Sequence, residues 1–157
     1  MMIQTKRLRL VPASDAQMAR QMEETPVPEL KAAYGEMLSG ATAHPDEREW
    51  YVLWNIELTD TPGTVVGNLC FHGTPINGAV ELGYGTNPGF EGRGYMTEAV
   101  TAVAAWAAAQ PGVLRVEAET APDNAASMRV LQKAGFVPTG AVGDEGPRFV
   151  WRREICS

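Results

Sequence analysis

The sequence predicts one domain of mixed helices and strands, and three observations carry that expectation. Hydrophobic periodicity alternates between a two-residue and a 3.6-residue repeat along the chain. Clusters of glycine, proline and small polar residues, such as Thr59-Asp60-Thr61-Pro62-Gly63 and Pro111-Gly112, fall at the changes. The elements so divided run strand, two helices, three strands, helix, strand, helix, two strands, or about seven strands and about four helices.

Lys6 to Val11 alternates charged and apolar residues, with Leu8 and Leu10 on one face, as a half-buried strand does. Pro12-Ala13-Ser14-Asp15 stops it, and Ser14 or Asp15 caps a helix to about Glu24 with Met18 and Met22 facing inward. A second helix is expected from Pro28 to Leu38, ended by Ser39-Gly40, and the polar stretch His44 to Glu49 is expected to be a loop. Trp50 to Leu58 and Val65 to Phe71 are rich in aromatic and branched residues and make two strands joined by the turn at Thr59 to Gly63. After a turn at Gly73 to Gly78, Val80 to Thr86 is the strand that feeds a glycine-rich loop.

From Gly94 to Gln110 the residues Met96, Ala99, Val100, Val103 and Ala107 form a helical stripe, closed by Pro111-Gly112. Val113 to Thr120 is a strand. Asp123-Asn124 begin a short helix through Ala134, with Gly135 at its left-handed close and Phe136 supplying the apolar contact that follows. Val137 to Val142 and Phe149 to Arg153 are the closing strands around Gly143 to Pro147.

A chain of 157 residues is the size of one domain, residues 1–157, and 45% apolar with 20% charged residues is ordinary for a globular protein. Its net charge of −6, with no run of Lys and Arg, argues against nucleic acid as a main partner and suits a cationic or amine substrate. The two cysteines, Cys70 and Cys156, have no CxxC or His-rich company, so neither a disulfide framework nor a metal site is expected. No apolar span of membrane length is present and the start has no leader-like core, so a cytoplasmic protein is expected.

The glycine loop carries the first functional signal. Gly92-Arg93-Gly94 follows Asn87-Pro88-Gly89 where a strand turns into a helix. Backbone amides there approach an anion closely, and the unpaired first amides of the helix add to the positive end of its dipole. No third glycine completes a dinucleotide fingerprint and no Gly-Lys-Ser/Thr completes a nucleotide P-loop. The second signal is Asn124-Ala125-Ala126-Ser127 followed by Lys133-Ala134-Gly135-Phe136.

Together these resemble the GNAT acetyltransferases, whose acyl-coenzyme A loop, Gln/Arg-x-x-Gly-x-Gly/Ala, aligns with Glu91-Gly92-Arg93-Gly94-Tyr95-Met96. Glu91 and Met96 depart from the pattern. The branch resembling ribosomal-protein N-terminal acetyltransferases is the most similar, through Val80-Glu81-Leu82-Gly83-Tyr84, Trp106 and Ala118-Glu119-Thr120. The resemblance covers essentially the whole chain. It implies a central, mixed but mostly antiparallel sheet flanked by helices, an acetyl-CoA cosubstrate, no metal, and a monomer or homodimer. The acceptor it implies is a primary amine, on a protein N-terminus or a small molecule, bordered by the first two helices.

By that resemblance acetyl-CoA is held by Tyr84, Gly85, Thr86, Glu91, Gly92, Arg93, Gly94, Tyr95, Met96, Thr97 and Asn124. A backbone amide around Tyr84 to Thr86 polarises the thioester carbonyl where two central strands splay apart. Glu81 and Glu119, one on each of those strands, are the candidates for general base, with a carboxyl raised by partial desolvation, or else are ordinary strand carboxylates. Leu131 stands where many relatives carry an acidic tyrosine, which leaves Ser127 as candidate proton donor or as part of the helix cap with Asn124. His72 either faces the cleft or is an incidental strand-end residue, and Asp144 and Glu145 either meet a cationic acceptor or merely turn the chain. A coenzyme-binding protein that no longer catalyses, and a purely structural domain, are the alternative functions.

Overall fold

In the computed structural model, which describes residues 1–152, the chain starts with a strand too short to show a period. This is β1 (Ile3–Gln4), which pairs antiparallel with β2 (Leu8–Pro12) and brings the strand count to eight. Leu8 and Leu10 of β2 are fully buried, as their alternation with Arg9 requires. Helix α1 (Asp15–Glu24) begins with a reciprocal cap in which the Gln17 amide donates to Ser14 Oγ and the Ser14 amide to Gln17 Oε1.

Helix α2 (Pro28–Ala43) does not end at Ser39-Gly40 as the sequence predicts, but runs a further turn. Gly40 is there for close approach: a Cβ on it would lie 2.6 Å from Cδ1 of Tyr51. The stretch expected to be a loop is a 3-10 helix, Pro45–Trp50, so Trp50 belongs to it and the next strand, β3 (Trp54–Leu58), starts late. Both tryptophans serve one aromatic cluster, each with its ring centre 5.1 Å from that of Trp106. Packing there overrides the strand propensity of the aromatic run.

β4 (Val65–Phe71), β5 (Ala79–Thr86), α3 (Tyr95–Ala108), β6 (Arg115–Glu119), α4 (Ala125–Lys133), β7 (Val137–Val142) and β8 (Pro147–Arg152) follow in the predicted order. Arg153 and Cys156 lie outside the described residues. The strands form one sheet in the order β1-β2-β3-β4-β5-β6-β8-β7, antiparallel except for the parallel pair β5–β6. The stripe of α3, Met96 with Ala99, Val100, Val103 and Ala107, is buried against one face with Val80 and Leu82 of β5. On the other face a smaller cluster, Met18, Ala41, Val52 and Leu53, lies under α1 and α2. Cys70 of β4 packs there, and burial pushes its thiol up to about 11, the behaviour of an inert buried thiol. No helix among the described residues is long and apolar enough to cross a membrane.

The end of the β5–β6 ladder sets the position of a cleft. β5 and β6 pair from Ala79 and Arg115 to Leu82 and Ala118 and no further, while β5 continues along β4 as far as Thr86. Past Leu82 the two central strands part.

Candidate active site

The parting of β5 from β6 opens a cleft of about 420 Å³ beneath the N-terminus of α3. Tyr84, Gly85 and Thr86 line it from β5, the glycine loop and first turn of α3 from one side, and Asn124, Ser127, Arg129 and Lys133 from α4. Of the residues the sequence assigns to acetyl-CoA, all but Arg93 line it.

The loop owes its shape to Gly94, which caps α3 in the left-handed conformation at φ +79°. Among the described residues, none of the backbone amides from Glu91 to Thr97 donates to a protein acceptor. A row of free amides at the positive end of a helix fits a pyrophosphate. Arg129 and Lys133, neither of them ion paired among the described residues, add positive charge from α4.

The two departures from the loop pattern have separate structural accounts. Met96 is buried, and its methyl lies against Gly67 of β4, where a Cβ would come within 3.2 Å of it. Its bulk therefore goes to the core and leaves its backbone at the cleft. Glu91 is exposed, where water screens its charge. Arg93 gives the loop its carbonyl, which accepts from Nη1 of Arg7 at 3.0 Å.

Arg7 is a brace that sequence reasoning missed. Its Nε and backbone amide donate to Glu98 in the first turn of α3 at 2.8 and 2.9 Å, and its guanidinium lies 4.6 Å over the Tyr95 ring. Thr5 also donates to Glu98. Burial pushes the Glu98 carboxyl up, but the Thr5 hydroxyl and Arg7 together outweigh it and hold the group below the usual carboxylate value.

On α4, Asn124 is the helix cap, its Oδ1 accepting from the Ser127 amide at 3.0 Å. The Ser127 side chain is left free for another partner, the Tyr84 hydroxyl 2.8 Å away, which also donates to the Ser127 carbonyl at 3.0 Å. Burial raises the Tyr84 hydroxyl above its ordinary value, against a smaller lowering by Ser127, so it stays protonated. Leu131 is fully buried. Sequence reasoning assigned Tyr84 by its backbone alone. The signal for its side chain is its parity on β5, the face it shares with Val80 and Leu82.

Backbone direction also alternates along β5. The Asn87 amide donates to β4 and the Glu81 carbonyl accepts from His72, so odd-numbered residues face β4. The amides of Tyr84 and Thr86 therefore point into the opening, and that of Gly85 does not.

Glu81 and Glu119 do not line this cleft, and neither is a free carboxylate. Arg148 of β8 bridges them, Nη2 to Glu81 Oε1 at 2.5 Å and Nη1 to Glu119 Oε1 at 2.7 Å. The second oxygen of Glu119 accepts the Glu145 amide at 2.8 Å, and the second oxygen of Glu81 lies 2.5 Å from Nδ1 of His72. The raised carboxyl expected of Glu119 is reversed: the Glu145 amide first, then Arg148, hold it below the usual range. Gly143 of the β7–β8 loop presses on the Glu119 carboxylate so closely that a Cβ there would overlap it. Glu145 thus meets Glu119 by its backbone. Glu81 and His72 border a second recess of about 270 Å³ with Glu117 and Arg115. Among the described residues no cluster of His, Cys, Asp and Glu is placed to hold a metal ion.

Comparison with known proteins agrees with the fold. Residues 7–137 match the family model described as an acetyltransferase (GNAT) domain. The uncharacterized N-acetyltransferase YjdG of Bacillus subtilis is 36% identical over 74 residues, which are 46% of this chain and 44% of that protein. The chain's matches span less than half the length of the curated relatives concerned. Among solved structures, an acetyltransferase of Agrobacterium tumefaciens superposes with a TM-score of 0.74 at 21% identity, covering 98% of this chain and 95% of that one. The ribosomal-protein acetyltransferase RimL in complex with coenzyme A gives 0.73 at 19% identity, covering 97% and 98%. At those identities the likeness is one of fold.

Proposed function

The chain belongs to the GNAT acetyltransferase family, and from that premise we propose that it transfers the acetyl group of acetyl-CoA to a primary amine by direct attack. The observation that carries the reading is the row of unpaired amides from Glu91 to Thr97 beside the opening between β5 and β6. These amides hold the pyrophosphate, with Arg129 and Lys133 attracting phosphate charge and Asn124 contacting the pantetheine arm. The amides of Tyr84 and Thr86 face the thioester carbonyl and stabilise the charge that develops on its oxygen. The Ser127 hydroxyl, backed by Tyr84, gives the departing sulfur its proton, the role that buried Leu131 lacks the chemistry to fill. No covalent enzyme intermediate is needed.

A protein N-terminus is the favoured acceptor. RimL, which this fold resembles, is named for acetylating a ribosomal protein at its α-amino group. The test is thiol release from acetyl-CoA with peptides bearing free N-terminal Ser, Ala or Met and with an alkyl diamine. Thiol release matched by acetylated amine in the mass spectrum supports the reading. Acetyl-CoA binding without acetylation of any of these amines favours a second reading, a coenzyme-binding protein that does not catalyse. Buried Leu131 and the engagement of Glu81 and Glu119 by Arg148 speak for that alternative.

A further inference from the structure

The carboxylates that sequence and family pattern nominate as base are both occupied, and their occupation singles out a different group. Glu81 Oε1 is bound by Arg148 and Oε2 by His72; Glu119 Oε1 is bound by Arg148 and Oε2 by the Glu145 amide. A proton taken by either carboxylate would be added beside the Arg148 guanidinium. His72 has no such conflict. A carboxylate beside a guanidinium only accepts hydrogen bonds, so Nδ1 of His72 carries the proton and donates to Glu81. In the neutral ring Nε2 then holds a lone pair, and among the described residues nothing donates to it.

The position of Nε2 is the second half of the case. It sits above Gly83, 3.3 Å from where a Cβ on that residue would be. Gly83 is the first residue of β5 beyond the last pairing with β6, and hence the edge of the opening. By alternation Gly83 shares a face with Glu81 and Gly85, opposite the face on which Tyr84 reaches Ser127. His72 and the Tyr84–Ser127 pair therefore approach the opening from opposite sides of the sheet. The His72 side chain is 53% exposed, open to an incoming molecule.

We propose that His72, oriented through Nδ1 by the Arg148-clamped Glu81, is the general base that receives the acceptor's proton at Nε2. This rests on the acetyl-transfer reading above. The ammonium gives a proton to Nε2, and the nitrogen so freed forms its bond to the acetyl carbon. The carbon–sulfur bond breaks with its electron pair on sulfur, which takes a proton from the Ser127 hydroxyl. Of the two protons the nitrogen loses, the first passes through His72 to solvent, and the second, shed as the amide forms, returns to the Ser127 oxygen and replaces the one given to sulfur. Glu81 accepts from Nδ1 and fixes the orientation of the His72 ring, while Arg148 keeps the Glu81 carboxylate in place. Glu81 and Arg148 are positioning residues.

Two readouts test this, one of them independent of the acceptor. Nitrogen-15 spectra of the imidazoles, assigned with a His44→Gln variant, are expected to show His72 as the Nδ1–H tautomer in the wild type and as a mixture in Glu81→Gln. A wild-type His72 carrying its proton on Nε2 overturns the proposal. With an amine that the wild type acetylates, His72→Gln should lower kcat/KM about 100-fold or more, in the range of lost general-base catalysis, with acetyl-CoA affinity unchanged. Added imidazole should restore part of the rate to His72→Ala, which a merely structural role would not permit. His72→Gln turning over at the wild-type rate overturns this proposal alone. A wild type that neither binds acetyl-CoA nor acetylates any of the amines overturns the acetyl-transfer reading with it.

Discussion

The hydroxyl oxygens of Tyr84 on β5 and Ser127 on α4 lie 2.8 Å apart inside the cleft that both residues line. Forty-three positions separate them in sequence, and the fold brings this face of β5 against α4. Ser127→Ala and Tyr84→Phe are each expected to lower kcat about 10- to 100-fold. Calorimetric affinity for acetyl-CoA should stay within about threefold of the wild type, since pyrophosphate binding rests on the amides. Steady-state kinetics of the two variants and their double mutant check this, and the double mutant should lose little more than either single one.

The Arg7–Glu98 pair makes a pH-dependent contribution to stability. The Glu98 carboxyl is lower in the folded protein than its ordinary value of 4.5, so folding gains from it above that value and loses the gain as the pH falls through the folded one. Thermal melts of wild type and Glu98→Gln should therefore differ near neutral pH and converge in acid, below the ordinary carboxylate value. The same variant loosens the Arg7 brace on the glycine loop, and weaker acetyl-CoA binding should accompany its lower Tm.

Gly143→Ala tests the clamp around Glu119. The added methyl overlaps the Glu119 carboxylate, so the β7–β8 loop must move away and the Glu145 amide must release Glu119. Destabilisation of about 1–3 kcal/mol is expected, equivalent to a fall in Tm of roughly 2–12 °C for a chain of this size. Adding Glu119→Ala should recover part of the loss, because the collision is with that side chain and not with the backbone.

Element order was legible in the sequence because turn residues and periodicity agree along most of the chain. Two local differences have one cause. The sequence predicts a helix end at Gly40, which instead makes room for Tyr51, and a strand at Trp50, which instead turns inward to the aromatic cluster. Each is decided by tertiary packing. The cleft was legible because glycines and a helix start are local features. The arrangement around Arg148 was not, since it joins residues from β5, β6 and β8, and no local pattern marks Arg148 as the cation between two glutamates. Arg7 was hidden for the same reason, whereas Tyr84 was marked by its parity on β5 and lacked only its partner on α4.

The most direct measurement is a calorimetric titration of the protein, and of Gly94→Glu, with acetyl-CoA. Binding by the wild type with a dissociation constant on the order of micromolar, about −8 kcal/mol, and none by the variant is the expected result. It would tie the unpaired amides from Glu91 to Thr97 to the pyrophosphate. No heat from the wild type, with no ligand-dependent rise in Tm, or equal binding by Gly94→Glu, would contradict the assignment of the glycine loop.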